Sequence, residues 1–169
     1  EFIPLLLLYG GLFFCISTII EHTKFNFWVL AGIGVLLRLL FLPALPNLSQ
    51  DFFRFLWDGR LSIQGVNPYS LTPQLFFTDL SAALEARGGV QVAQASELSA
   101  GMGTLNASHY SNYPPINQLC FAIAALFAGK SILGSAIVLR VLIIAADIGI
   151  LYFGKKLLSL LKLPVKNIF

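Results

Sequence analysis

The residues best equipped for chemistry fall in one short stretch, SQDFFRFLWDGRLSIQGVNPY, at positions 49–69. Asp51 and Asp58 stand seven apart, with Arg54 between them. On a helix all three project from roughly one face. A carboxylate there can act as a general base. An arginine beside it can hold a phosphate, because its planar fork matches phosphate oxygens. Base and phosphate clamp together are what transfer from a lipid phosphate requires. The plainer alternative is a salt-bridged interfacial helix, in which Arg54 pairs both acids and nothing reacts. Seven residues of helix separate the two acids by about 10 Å along the axis. One metal ion would bridge them only with help from another segment. A divalent metal ion therefore has little support, and no other cofactor is indicated.

Further along, Tyr113-Pro114-Pro115 precedes an apolar run, with Gln118 just inside it. Proline is tolerated in a first helical turn. The pair is either a simple helix start or a stiff corner that aims Tyr113 and Asn112 into a site. His109 has the look of a solvated loop residue. Arg38, Arg140 and Asp147 lie within otherwise apolar runs, where ionisable groups are costly and mark functional candidates. Arg140 and Asp147 share a helix face, and pairing with each other is the simplest role for them. Arg38 either snorkels to the interface or reaches a phosphate. Cys15 and Cys120 sit in apolar runs without disulfide or metal-ligand spacing, so small buried hydrophobes are expected.

The elements that must position these groups are apolar. The 169 residues are 57% hydrophobic and 11% charged, far from the roughly 25% charged of ordinary soluble domains. The net charge of +3 comes from scattered residues. No basic stripe is present, so nucleic acid is not an expected partner. Spanning runs are expected at about 2–20, 27–45, 114–130 and 132–153, given the roughly 20 residues a crossing needs. The third run could instead be re-entrant. The fold class is all-α, a polytopic membrane helix bundle of about four spanning helices with a long loop, residues 46–113, that contains interfacial helices. Asp51–Gln64 is an expected helix, with Ser49 as N-cap and aromatic residues suited to a membrane interface. A second short helix is expected at Thr78–Arg87, ended by Gly88-Gly89, and irregular chain at 90–112. Residues 154–167 form a basic interfacial segment. With Glu1 at one end and an apolar stretch starting at the other, a piece of a longer protein is expected, without a cleavable signal peptide.

Four spans put the long loop and the basic tail on one side. Lys155, Lys156, Lys162 and Lys166 would make that side cytoplasmic by the positive-inside rule. A resemblance points the other way. The run from Pro46 to Asp51, then Arg54-Phe55, Trp57-Asp58-Gly59-Arg60, Gly65 and Asn67-Pro68-Tyr69 resembles the first extracytoplasmic loop of bacterial integral-membrane mannosyltransferases. These belong to the GT-C glycosyltransferase superfamily and are related to GPI-mannosyltransferases. NASHYSNYPPINQ, residues 106–118, is similar to the same family's entry to the next span. The resemblance covers roughly residues 35–165.

It implies an enzyme that moves a hexose, mannose in the family, from a polyprenyl-phosphate carrier to a glycan, lipid or protein acceptor. Inversion at the anomeric carbon is implied, in a bacterial inner membrane with the loop outside. Asp51 matches the catalytic base. Arg54 or Arg60 would lie near the phosphate, and Asp58, Tyr113, Gln118 and Arg38 are further substrate-binding candidates. Many relatives carry a second acid directly before the base. Gln50 stands there instead, which argues against an acidic metal pair. The alternative is a non-catalytic membrane protein, such as a lipid-carrier transporter or assembly subunit, with membrane lipids as its neighbours.

Overall fold

A computed structural model describes residues 2–22, 26–46, 49–77 and 89–169. Among the described residues there are seven α-helices, one 3-10 turn and no strand. The helices are α1 (Phe2–His22), α2 (Phe27–Leu40), α3 (Asp51–Ser62), α4 (Pro73–Phe76), α5 (Ala95–Ser108), α6 (Pro115–Ala128) and α7 (Ile132–Leu160). The chain divides into two compact units, 1–40 with 145–169, and 41–144.

In the first unit, α1 has 21 residues and no buried side chain. A helix apolar on every side belongs in a membrane or a large core. α1 and the 29-residue α7 are both long and apolar enough to cross a membrane. α2 has only 14 residues, about 21 Å of helix, against a hydrocarbon core of about 30 Å. The expected span at 27–45 is thus cut short. Leu40 gives way to a turn at 41–43, where Pro43 cannot donate and disfavours helix in the residue before it. α7 in turn outruns its expected end, because the leucine-rich basic segment continues the helix to Leu160. A left-handed Lys162 (φ 57°) then breaks it.

Within this unit α2 and α7 are tied at two levels. Arg38 Nε lies 2.6 Å from Asp147 Oδ2. Lys155 Nζ stands 4.6 Å above the Phe27 ring and 4.5 Å above the Trp28 ring. The expected Arg140–Asp147 pair is therefore replaced. Asp147 takes Arg38, and Arg140 Nη1 donates to the Phe41 carbonyl and, at 2.8 Å, to that of Leu42. The Phe41 carbonyl also accepts the Ala44 N–H at 3.1 Å in the turn after α2. Cys15 is exposed and Cys120 partly so, which corrects their expected burial: the apolar runs that hold them present much of their surface outward.

The second unit is built around α3. Eight of its twelve residues are buried, so its aromatic face packs within this unit. It packs on α5 and α6. At the crossing with α6, a Cβ on Gly59 would come within 2.2 Å of the Phe121 carbonyl oxygen. Only glycine lets the two backbones approach so closely. Phe55 stacks on Phe121 with centroids 4.6 Å apart. Trp57 is fully buried and meets Phe76 of α4 edge-on at 5.2 Å. Burial of each such side chain is worth about 1.5–3 kcal/mol.

The expected irregular stretch at 90–112 contains α5, bent at Gly103 (φ 75°). Its glycines and polar residues are weak helix formers. Packing carries it instead: Leu98 and Met102 are fully buried, and Gly101 accepts the Phe53 ring where a Cβ would sit 2.7 Å from it. α6 begins at Pro115 and stops at Gly129 (φ 56°) after 14 residues, shorter than the expected 114–130. The helix expected at Thr78–Arg87 lies outside the described residues. The described short helix, α4, precedes it, with Thr72 Oγ1 accepting the Leu75 N–H at 3.2 Å.

Candidate active-site cleft

Asp51 opens α3. Its N–H donates to Ser49 Oγ at 3.1 Å, though the N-cap position expected of Ser49 is held by Gln50. The carboxylate is exposed and lies at the positive end of the helix, a favourable place for an anion. It accepts Asn106 Nδ2 at 2.9 Å, and Tyr113 stands beside it in the cleft wall. It lines a cleft of about 740 Å³ with Gln50, Arg54, Asn106, His109 and Tyr113 among the other walls. Asp51, Arg54 and Tyr113 are thus brought together as the sequence implied.

Beneath the cleft lies a buried polar network. Arg54 is 1% exposed and Asp58 0%. Arg54 Nε donates to Asp58 Oδ1 at 2.8 Å. Arg54 Nη1 donates to the carbonyls of Asn106 at 3.1 Å and His109 at 2.8 Å. These belong to the C-terminal end of α5, where a cation is favoured. Ser111 Oγ and Gln118 Nε2 donate to Asp58 Oδ2 at 2.5 and 2.9 Å. Gln118 Nε2 also lies 2.7 Å from Ser111 Oγ. Arg54 therefore pairs one acid, not both, and the i, i+4 spacing selects Asp58.

This geometry redistributes the expected substrate-binding residues. Asp58 and Gln118 hold the floor and do not line the cleft. Arg60 faces elsewhere. Its Nη1 donates to the Ala93 carbonyl, and its Nη2 to Gln94 Oε1 at 3.1 Å and the Lys130 carbonyl at 3.2 Å. Burial pulls its guanidinium pKa down, against the charge of Glu97, which raises it. Arg60 is a brace for the 93–94 turn, not a phosphate clamp. Arg38 belongs to the other unit and is paired with Asp147. His109 is exposed, lines the cleft, and donates from Nδ1 to the Leu105 carbonyl at 2.6 Å.

Tyr113 is set as a stiff corner would set it. Its ring meets Phe55 edge-on at 4.9 Å, and its carbonyl accepts the Tyr69 hydroxyl at 2.5 Å. The Asn-Pro-Tyr turn is thereby tied to the Tyr-Pro-Pro entry. Burial pushes the Tyr113 phenol up from its ordinary pKa. The charges of Asp51 and Asp58 and the hydrogen bond to Asp51 add to the rise, while Arg54 opposes it. Tyr113 therefore stays a neutral donor, and Asp51 keeps lone pairs free to accept an incoming O–H.

Asn106 and Ser111 were not singled out from the sequence. Both lie in NASHYSNYPPINQ, but a lone amide and a lone hydroxyl carry no periodicity that would mark them. Among the described residues no group of three or more His, Cys, Asp or Glu side chains is placed to hold a metal ion. Compared with protein-family models, with curated proteins and with solved structures, the chain matches none.

Proposed function

We propose that this chain carries the acceptor-activating part of a membrane glycosyltransferase that uses a polyprenyl-phosphate sugar. The observation that carries the reading is Asp51: an exposed carboxylate held by Asn106, with Tyr113 beside it, at the edge of a cleft with an Arg–Asp floor. In the proposed step Asp51 takes the proton of an acceptor hydroxyl. The oxygen attacks the anomeric carbon from the face opposite the phosphate. The carbon–phosphate oxygen bond breaks, and the polyprenyl phosphate leaves with the electron pair. Asn106 holds the base in one orientation. Arg54 lines the cleft and Arg60 does not, so the positive charge facing the phosphate is assigned to Arg54. Mannose as the sugar rests on the resemblance.

The second reading, a non-catalytic membrane protein, draws support from how fully Asp58 and two carbonyls occupy Arg54. Asp51→Asn in the full-length protein separates the two. Loss of a general base lowers rate by about 10²–10⁴, so transfer should fall by that factor with expression and folding intact. Retained transfer removes Asp51 from the role. A wild-type protein that transfers from no lipid-linked sugar favours the second reading. We place the cleft on the extracytoplasmic face of a bacterial inner membrane. A cysteine at Ser96, which is exposed on α5, should then react with an impermeant reagent on intact cells. Labelling only after lysis would reverse the placement.

A further inference from the structure

α2 and α7 run antiparallel in the first unit. Trp28 of α2 meets Lys155 of α7, and ten residues later Arg38 meets Asp147. Between these two ties lies a groove of about 510 Å³, lined by Ala31, Gly32, Val35 and Leu39 on one side and Ile148 and Tyr152 on the other. The groove is open because α2 puts small residues there: a Cβ on Gly32 would meet nothing within 4 Å. From Phe27 to Leu39 the helix covers about 18 Å, enough for much of an acyl chain.

The two ends of the groove differ in charge. At one end Asp147 neutralises Arg38. At the other end Lys155 lies over two aromatic rings and has no carboxylate within ion-pair distance among the described residues. An ammonium on a ring face keeps its N–H donors available. Lys156, Lys162 and Lys166 follow in the chain. An apolar slot with a cation and two aromatics at one end complements an amphiphile with one anionic end. Lysine and tryptophan at this level match the headgroup region of a bilayer, and basic pockets between membrane helices hold anionic headgroups.

We infer that the α2–α7 groove binds one chain of an anionic phospholipid, with its phosphate on Lys155. The inference rests on the membrane placement proposed above and not on sugar transfer. Membrane placement is read separately, by whether alkaline carbonate releases the full-length protein from membranes.

The test is native mass spectrometry of the full-length protein in mild detergent. It is titrated with phosphatidylglycerol or phosphatidylcholine of identical acyl chains. A lysine near an anionic lipid surface is worth about 1 kcal/mol, so phosphatidylglycerol should be retained roughly fivefold more tightly. Lys155→Gln should erase that preference and Lys155→Arg keep it. Gly32→Leu should weaken retention of both lipids by filling the slot. Lys166→Gln should change nothing, since Lys166 lines a separate cavity with Glu21. Equal retention of the two lipids by wild type, or a preference that survives Lys155→Gln, overturns the inference. So does a Gly32→Leu protein that keeps its lipid and loses a dimer, because a second copy would then be the occupant.

Discussion

Replacing Asp58 with asparagine removes the charge that Arg54 faces and changes the side-chain shape very little. Both Arg54 and Asp58 are essentially inaccessible, so water cannot take over the lost interaction. The amide offers one oxygen where the carboxylate offered two. Today Oδ1 serves Arg54 and Oδ2 serves Ser111 and Gln118. The new amide must therefore turn its N–H₂ toward a donor on one side or the other. Breaking a buried pair from one partner costs about 3–5 kcal/mol, because the other charge stays buried. For a chain of this size each kcal/mol moves the melting midpoint by about 2–4 °C. The expected fall is about 6–20 °C, followed in detergent through the fluorescence of the fully buried Trp57. Arg54→Gln alone should cost a similar amount. The double variant should cost less than the two together, by about 0.5–3 kcal/mol of coupling. A midpoint within about 2 °C of wild type, or strictly additive variants, would refute the view that the ion pair holds the cleft floor.

Gly59→Ala places a Cβ 2.2 Å from the Phe121 carbonyl oxygen, so α3 and α6 must separate. A loss of about 1–3 kcal/mol or more is expected, read as a lower melting midpoint, while Gly10→Ala, with open space around it, should leave the midpoint unchanged. The raised Tyr113 phenol means the folded chain keeps this proton where free tyrosine, near pH 10, begins to lose it. The stabilisation is complete below that pH and is lost as pH rises through the folded value. Tyr113→Phe should therefore flatten the fall of the midpoint above about pH 10, and an unchanged fall would assign it elsewhere.

Much of the architecture was legible where apolar runs were long and uninterrupted. α1 and α7 start where their runs start, at Phe2 and Ile132, since a continuous apolar stretch has few alternatives to helix. Proline and glycine set the ends that a hydropathy window misses, as at Pro43 and Gly129. α5 was invisible because its support is tertiary: Leu98 and Met102 are the buried anchors of a segment whose own propensities are poor. In the cleft, residue type and spacing brought out Asp51, Arg54 and Tyr113. They did not tell an arginine that faces a ligand from one that braces a turn. Arg54 and Arg60 are six apart in sequence, yet the carbonyls they hold come from different segments, 106–109 for one and 93 with 130 for the other. That difference depends on partners far along the chain, which local pattern does not encode.

The same long separations set an order of events during synthesis. Asp58 waits 53 residues for Ser111 and 60 for Gln118, and Arg54 waits 52 for the Asn106 carbonyl. At roughly 5–20 residues per second, α3 leaves the ribosome several seconds before the groups that finish its burial. Through that interval the only partners Arg54 and Asp58 have are each other, one helical turn apart. Their spacing makes the nascent segment nearly neutral at its centre. The helix that carries Gln118, α6, comes later to close over it.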